Sequence, residues 1–187
     1  MSDAQADLAW ADEVHGFWFG ELEKQNWFQT SADVDRQVAD RFTGLYRTLK
    51  TRTPDTFVTL PRVALSGIIV LDQFPRNLFR DSPEAFATDA LALGIAKGAT
   101  DAGLDRGLTV DERLFMYLPF EHSEDMADQN EAVRLVSALG DDVYTDFAEK
   151  HRDVVARFGR FPHRNDVLGR QSTPEEKAFL ADHGRGF

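Results

Sequence analysis

The chain has 187 residues, no cysteine and a formal net charge of −11. The length and the 42% of hydrophobic residues suit a single domain, 1–187, with a sizeable core. The acidity disfavours nucleic acid and anionic membrane as partners, and the lack of Cys excludes disulfides, thiolate metal sites and a Cys nucleophile.

The first residues, Met1-Ser2-Asp3-Ala4-Gln5, lack the apolar core of a signal peptide, so a cytoplasmic protein is expected. Residues 3–18 read as a helix, with Leu8, Ala11, Val14 and Trp18 at helical spacing and Gly20 as a stop. Asn26-Trp27-Phe28 reads as an aromatic loop that plugs onto the core. Residues 32–50 carry the stripe Val34, Val38, Phe42, Leu45 and Leu49, capped by Thr30 or Ser31. Residues 61–73 start at Pro61 and are apolar nearly all round, which predicts a central, buried helix ending at Pro75. Its apolar run Ile68-Ile69-Val70-Leu71 is too short to span a bilayer.

Ser82-Pro83-Glu84 starts a helix over 83–98, with loop from Gly98 to Gly107. Thr109 and Glu112 form a capping box for a helix carrying Leu114, Phe115 and Leu118 up to Pro119. Ser123-Glu124-Asp125 caps the next, with Met126, Val133, Val136 and Leu139, ending at Gly140. A helix over 142–158 turns Val143, Phe147, Val154 and Phe158 inward and stops at Gly159. Pro162 begins a short turn that ends at Gly169, and Thr173 with Glu176 boxes the last helix, which carries Phe179 and Leu180. No run alternates with period two, so the fold class is all-α with about eight helices.

Two segments echo one another: Gln73-Phe74-Pro75-Arg76-Asn77 and Arg160-Phe161-Pro162-His163-Arg164-Asn165. Pro presets a helix start, so each Arg and Asn is expected in a first turn, where free amides and a guanidinium attract anions. Two such turns facing across a cleft would bind an anionic ligand through Gln73, Arg76, Asn77, Arg160, Arg164 and Asn165. The plain alternative is that Phe-Pro docks a corner and each Arg pairs with an acid.

Glu121-His122-Ser123-Glu124-Asp125, with Asp128 beyond, gathers ionisable groups at a helix start. Carboxylates there offset the helix dipole in any protein. His122 adds the option of a general base, with Glu121, Glu124 and Asp125 beside it. No zinc-type spacing is present, so no metal site is assigned. His163, beside Arg164, is a second candidate for proton transfer; His151, on an apolar stripe, reads as a hydrogen-bonded core residue. Asp72 ends a buried helix against the dipole, so a cation must compensate it, Arg76 or Arg164.

Five blocks in order resemble the bacterial domain-of-unknown-function family 924: Phe17-Trp18-Phe19-Gly20, Leu71 to Asn77, Phe86-Ala87-Thr88-Asp89, Tyr117 to Asp125, and Arg157 to Asn165. The resemblance runs from about Trp10 to Phe187. It implies an all-helical fold similar to tetratricopeptide-like helical arrays, in one array or an irregular bundle. It implies no reaction, names no cofactor and transfers no catalytic residue.

Two functions follow. One is a cleft for a small anionic metabolite, with hydrolase-type or proton-transfer chemistry by His122, His163, Glu121 and Asp72. The other is an adaptor for a peptide or protein partner; a homo-oligomer without a site of its own is a third possibility. A small-molecule site requires both Phe-Pro turns and the acidic turn to meet in one pocket. An adaptor spreads them along an open groove.

Overall fold

The computed structural model describes residues 3–184, and among these every regular element is helical. Helix α1 (Asp3–His15) runs into a π turn (Gly16–Glu21) and is followed by α2 (Lys24–Phe28) and α3 (Ala32–Leu49). Helix α4 (Pro61–Ile68), a second π turn (Ile69–Gln73) and α5 (Phe74–Leu78) are continuous. Then come α6 (Asp89–Asp101), α7 (Val110–Glu121), α8 (Met126–Ser137), α9 (Asp142–Phe158) and α10 (Pro174–His183). The eight longer helices are those the sequence leads one to expect, and α2 and α5 are five-residue additions.

Local chemistry sets most boundaries. Ser31 accepts from the Val34 amide, and both expected capping boxes form, at Thr109/Glu112 and Thr173/Glu176. Asp125 and Asp141 cap α8 and α9, and Gly159 closes α9 at φ 70°. The stripe on α3 is Val34, Val38, Phe42, Tyr46 and Leu49; Tyr46 takes the core place expected of Leu45, which is half-buried.

Four expectations are corrected. The segment 26–28 is helical as α2, and only Trp27 plugs inward, its indole donating to the Trp18 carbonyl at 2.8 Å. Pro75 does not end its helix. Proline lacks an amide and crowds the carbonyl four residues back, Leu71. The wider π turn relieves this, and the freed Leu71 carbonyl accepts from the Thr88 hydroxyl at 2.5 Å. That same Thr88 bond splits the expected helix over 83–98 into a 3-10 turn (Pro83–Phe86) and α6. Helix α6 then passes through Gly98 to Asp101, because a glycine there lets the helix lie against Val58. Finally, Val143 and Phe147 are not in the core; they are 62% and 39% exposed, and Tyr144, Ala148 and Val155 contribute the inward face.

Helix α4 is the hub. Val63, Ala64, Leu65 and Ile68 are buried, and α4 packs on α1, α6 and α7. Its contact with α7 skips the neighbours that a stacked repeat array would use, so the architecture is an irregular bundle. Helix α8 packs on both α7 and α9, and a satellite cluster of Val154, Val155, Phe161 and Phe179 seats α10. Among the described residues no helix is long and apolar enough to cross a membrane.

Gly67 sits on α4 where an added Cβ would lie 2.6 Å from the Phe57 ring, whereas at Gly44 on α3 nothing lies within 4 Å. Gly67→Ala therefore lowers unfolding free energy by about 1–3 kcal/mol. Gly44→Ala raises it by about 0.5–1 kcal/mol. Urea denaturation with matching m-values checks both.

Candidate functional site

The site is built around Asp72, which lies in the π turn joining the buried hub helix to α5 and has 0% exposure. Burial opposes a carboxylate there; the helix dipole expected to oppose it as well does not, because the helix runs on to Leu78 and Asp72 is not in its last turn. Three donors compensate it. His122 Nδ1 lies 2.8 Å away, Gln73 Nε2 donates at 2.6 Å, and the Arg76 guanidinium stands at 3.5 Å. Burial pushes the Asp72 carboxyl up, but Arg76, His122 and Gln73 together outweigh it and hold it well below the usual carboxylate range. The expected compensating cation is thus Arg76, and His122 joins it.

An ionised carboxylate only accepts, so His122 Nδ1 carries the proton of the neutral ring and Nε2 keeps the lone pair. Burial first, and then Arg76, lower the His122 pKa despite the pull of Asp72. The ring is neutral at pH 7 and oriented by a carboxylate, as a general base requires.

Glu121 lies beside it at the end of α7. Burial, then the Asp72 charge, raise its pKa to about 8, so it is mostly protonated at neutral pH. Its Oε2 lies 3.6 Å from His151 Nδ1, and its buried Oε1 has no hydrogen-bond partner. Gln129 on α8 fixes this helix end, donating to the Glu121 and Ser123 carbonyls at 2.7 Å each. Asp72 and Glu121 are therefore two carboxyl groups driven in opposite directions by their surroundings, the pattern that separates acid from base roles.

The two echoes meet across Phe86 and Asp89. Arg76 grips Asp89 through both terminal nitrogens at 3.1 and 3.2 Å, and Arg164 approaches the same carboxylate at 3.5 Å. Phe86 has a guanidinium within cation–π reach from each echo, Arg76 at 5.6 Å and Arg164 at 4.7 Å. Arg164 is 7% exposed and donates to the His122 carbonyl at 3.1 Å. Burial, then Arg76, lower its pKa to about 10.

Neither echo works as a free helix start. The first continues an existing helix, and in the second the Arg164 and Asn165 amides already bond the Phe161 and Pro162 carbonyls. The attraction for anions comes from side chains.

One cavity of about 510 Å³ is lined by Gln73 and Arg76 of the first echo, Glu121 and His122 of the acidic turn, and His163 and Arg164 of the second echo. Asp72 stands behind His122. Burial, then Arg164 and the neighbouring histidines, push the His163 pKa down to about 4, which keeps it neutral as expected.

The remaining candidates frame this cavity. Asn77 bonds Asp35 at 2.8 Å and ties α5 to α3. Arg160 grips Glu176 at 2.6 and 2.9 Å, and the Asn165 amide donates to Ser172 at 3.0 Å. Glu124 accepts from the Phe161 amide at 2.8 Å and from Arg170 at 2.7 and 2.9 Å, pinning the second echo. Asp125 is the cap of α8, and Ser123 donates to Asp128.

Sequence reasoning missed His151, which lines the cavity instead of the core, and Phe86, Asp89 and Gln129. The spacing Val143, Phe147, His151 is the available signal, a polar group in register with two apolar residues on one helix face. Among the described residues no cluster of three or more His, Asp or Glu is arranged to hold a metal ion.

Over residues 14–184 the chain matches the family described as bacterial protein of unknown function (DUF924). It is similar to the solved structure of a protein of unknown function from Agrobacterium tumefaciens, with 41% identity and a TM-score of 0.88 over 93% of this chain and 98% of that one. No curated protein matches.

Asp72→Asn removes a fully buried charge that His122 and Arg76 are arranged around and lowers stability by about 3–5 kcal/mol. Glu175→Gln breaks only an exposed pair with Arg157 and changes it by less than about 1 kcal/mol. Thermal melts of the two variants side by side check this. Glu121 gives a pH signature. Its folded pKa is raised, so the stability it contributes is complete below its ordinary pKa of 4.5 and drains away as pH rises to about 8. Glu121→Gln lacks that loss. Its stability relative to the parent chain therefore climbs by about 1.4 kcal/mol per pH unit through this window and levels off above it. Chemical denaturation of both chains from pH 5 to pH 9 measures the difference.

Proposed function

The chain belongs to the bacterial DUF924 family, and from the chemistry of its cleft we propose that it binds a small anionic metabolite and moves a proton on it. The observation that carries this reading is convergence: both Phe-Pro turns and the acidic turn contribute side chains to one cavity. A volume of about 510 Å³ falls within the range of small-molecule sites. A tetratricopeptide-like adaptor, the alternative, would instead spread these groups along an open groove.

The roles follow from the geometry. Arg164 and Arg76 attract the anionic group. His122, oriented by Asp72, takes a proton at Nε2, and protonated Glu121 returns one. Hydroxyl and thiol nucleophiles are missing from the described lining apart from Tyr144, whose phenol donates to Asp111 at 3.0 Å and is pushed up to about 12 by burial and that carboxylate. The favoured chemistry is therefore proton transfer within the ligand, or hydrolysis by a water that His122 activates, without a covalent intermediate.

Thermal melts of the purified chain with a panel of carboxylated and phosphorylated metabolites test the reading. A ligand at a hundred times its dissociation constant stabilises by about 2.7 kcal/mol, which raises Tm by about 5–11 °C at this size. The shift disappears in Arg164→Ala. A flat panel, or a shift untouched by Arg164→Ala, overturns the assignment.

A further inference from the structure

The cavity has two chemically different ends, and two helices grade between them in step. On α7 the lining runs Leu114, Leu118, then Glu121 and His122; on α9 it runs Val143, Phe147, then His151. The helices point the same way. Tyr144 meets Asp111 at 3.0 Å near both N-termini, and His151 meets Glu121 at 3.6 Å towards the other end. Eight residues on each helix carry the lining about 12 Å from apolar to polar.

The apolar end is also open. Phe28, Val143 and Phe147 are 59%, 62% and 39% exposed, and all three line this cavity. The other large apolar side chains that exposed among the described residues, Leu60, Val110 and Met126, do not line it. Scattered exposed hydrophobics need no explanation, but a cluster at a pocket mouth marks a binding surface.

At the polar end, Arg164 is held between Phe86 and Phe161, at 4.7 and 4.6 Å from the two rings. The one hydrogen bond its guanidinium makes runs from Nη1 to the His122 carbonyl, and its buried Nε has no partner. A guanidinium so fixed, with most donors unspent, suits a planar carboxylate. The charge balance sets the number of charges. Arg76 and Arg164 already face Asp72 and Asp89, while Arg160 and Arg170 are committed to Glu176 and Glu124. Arg76 and Arg164 are the Arg or Lys among the described lining residues, and Asp72 and Asp89 already offset them, so a dianion is opposed more strongly than a monoanion.

We infer that the cleft selects a monocarboxylate with an aliphatic or aryl body, its head at Arg164 and its tail leaving between Phe147 and Phe28. This names the ligand class of the small-molecule site and rests on that reading.

Calorimetric titration of the full chain with acetate, butyrate, hexanoate, octanoate, 3-phenylpropionate, octanamide and hexyl phosphate tests it. Affinity is expected to rise about three- to fourfold per added methylene. Octanamide is expected to bind at least tenfold more weakly than octanoate, and hexyl phosphate at least tenfold more weakly than hexanoate, whose tail is no longer than its own. Val143→Asp, an exposed change at the start of α9 where an acid is tolerated, flattens the chain-length dependence. Tight binding of hexyl phosphate with weak carboxylates overturns the ligand class and leaves the anionic-site reading standing. Equal affinity along the series, or a length dependence unchanged in Val143→Asp, also overturns the class alone. No binding by any compound overturns both.

Discussion

A single buried carboxylate organises this molecule. Asp72 sits in the π turn within the continuous hub helix, with no exposed surface, where burial opposes its charge. Compensation must come from elsewhere in the fold, and the partners it draws in are those that define the cleft. Arg76 comes from the next turn of the same helix, and His122 from the end of α7. The charge that is tolerated at Asp72 then denies charge to its neighbour. Glu121 keeps its proton because burial and the Asp72 anion both penalise ionisation. One ionised and one protonated carboxyl group thus arise from a single arrangement.

The ion pairs fall into two roles. Glu124 with Arg170 and Arg160 with Glu176, together with the Asn77 hydrogen bond to Asp35, clamp the two echo turns to the surrounding helices. The cationic groups left facing the cavity are Arg76 and Arg164, each within reach of the Phe86 ring and of Asp89. The chain is strongly acidic overall, so a cationic end to a pocket requires this division: outer arginines occupied by outer acids, and inner arginines sharing one carboxylate. The same economy leaves Arg164 with unspent donors.

Much of the frame is legible in the residues. Capping boxes at Thr109 and Thr173, the stripe from Val34 to Leu49 and the largely apolar segment from Val63 to Leu71 mark their helices because each depends on neighbours within a turn or two. The sequence also marks Asp72 as a group in need of a cation and the two Phe-Pro turns as echoes of one another. What it hides depends on distant atoms. Pro75 reads as a stop, since nothing nearby shows that a π turn will open and that Thr88 will bond the released carbonyl. His151 reads as core because its stripe is apolar, yet that stripe borders a cavity. Asp89 and Gln129 carry no local signal, because their partners are 13 and 8 residues away and become neighbours only after packing.

By itself, then, the sequence determined an all-helical chain, where most of its helices begin and end, and which polar motifs required partners. These follow from periodicity, capping and dipole energetics, which act over a few residues. The tertiary structure alone decided that three separated turns share one cavity, that Arg160 and Glu124 serve as clamps while Arg164 faces the cleft, and that Glu121 holds a proton beside an ionised Asp72. Those outcomes depend on which side chains are shut away from water together, and burial is a property of the packed chain, not of any stretch of it.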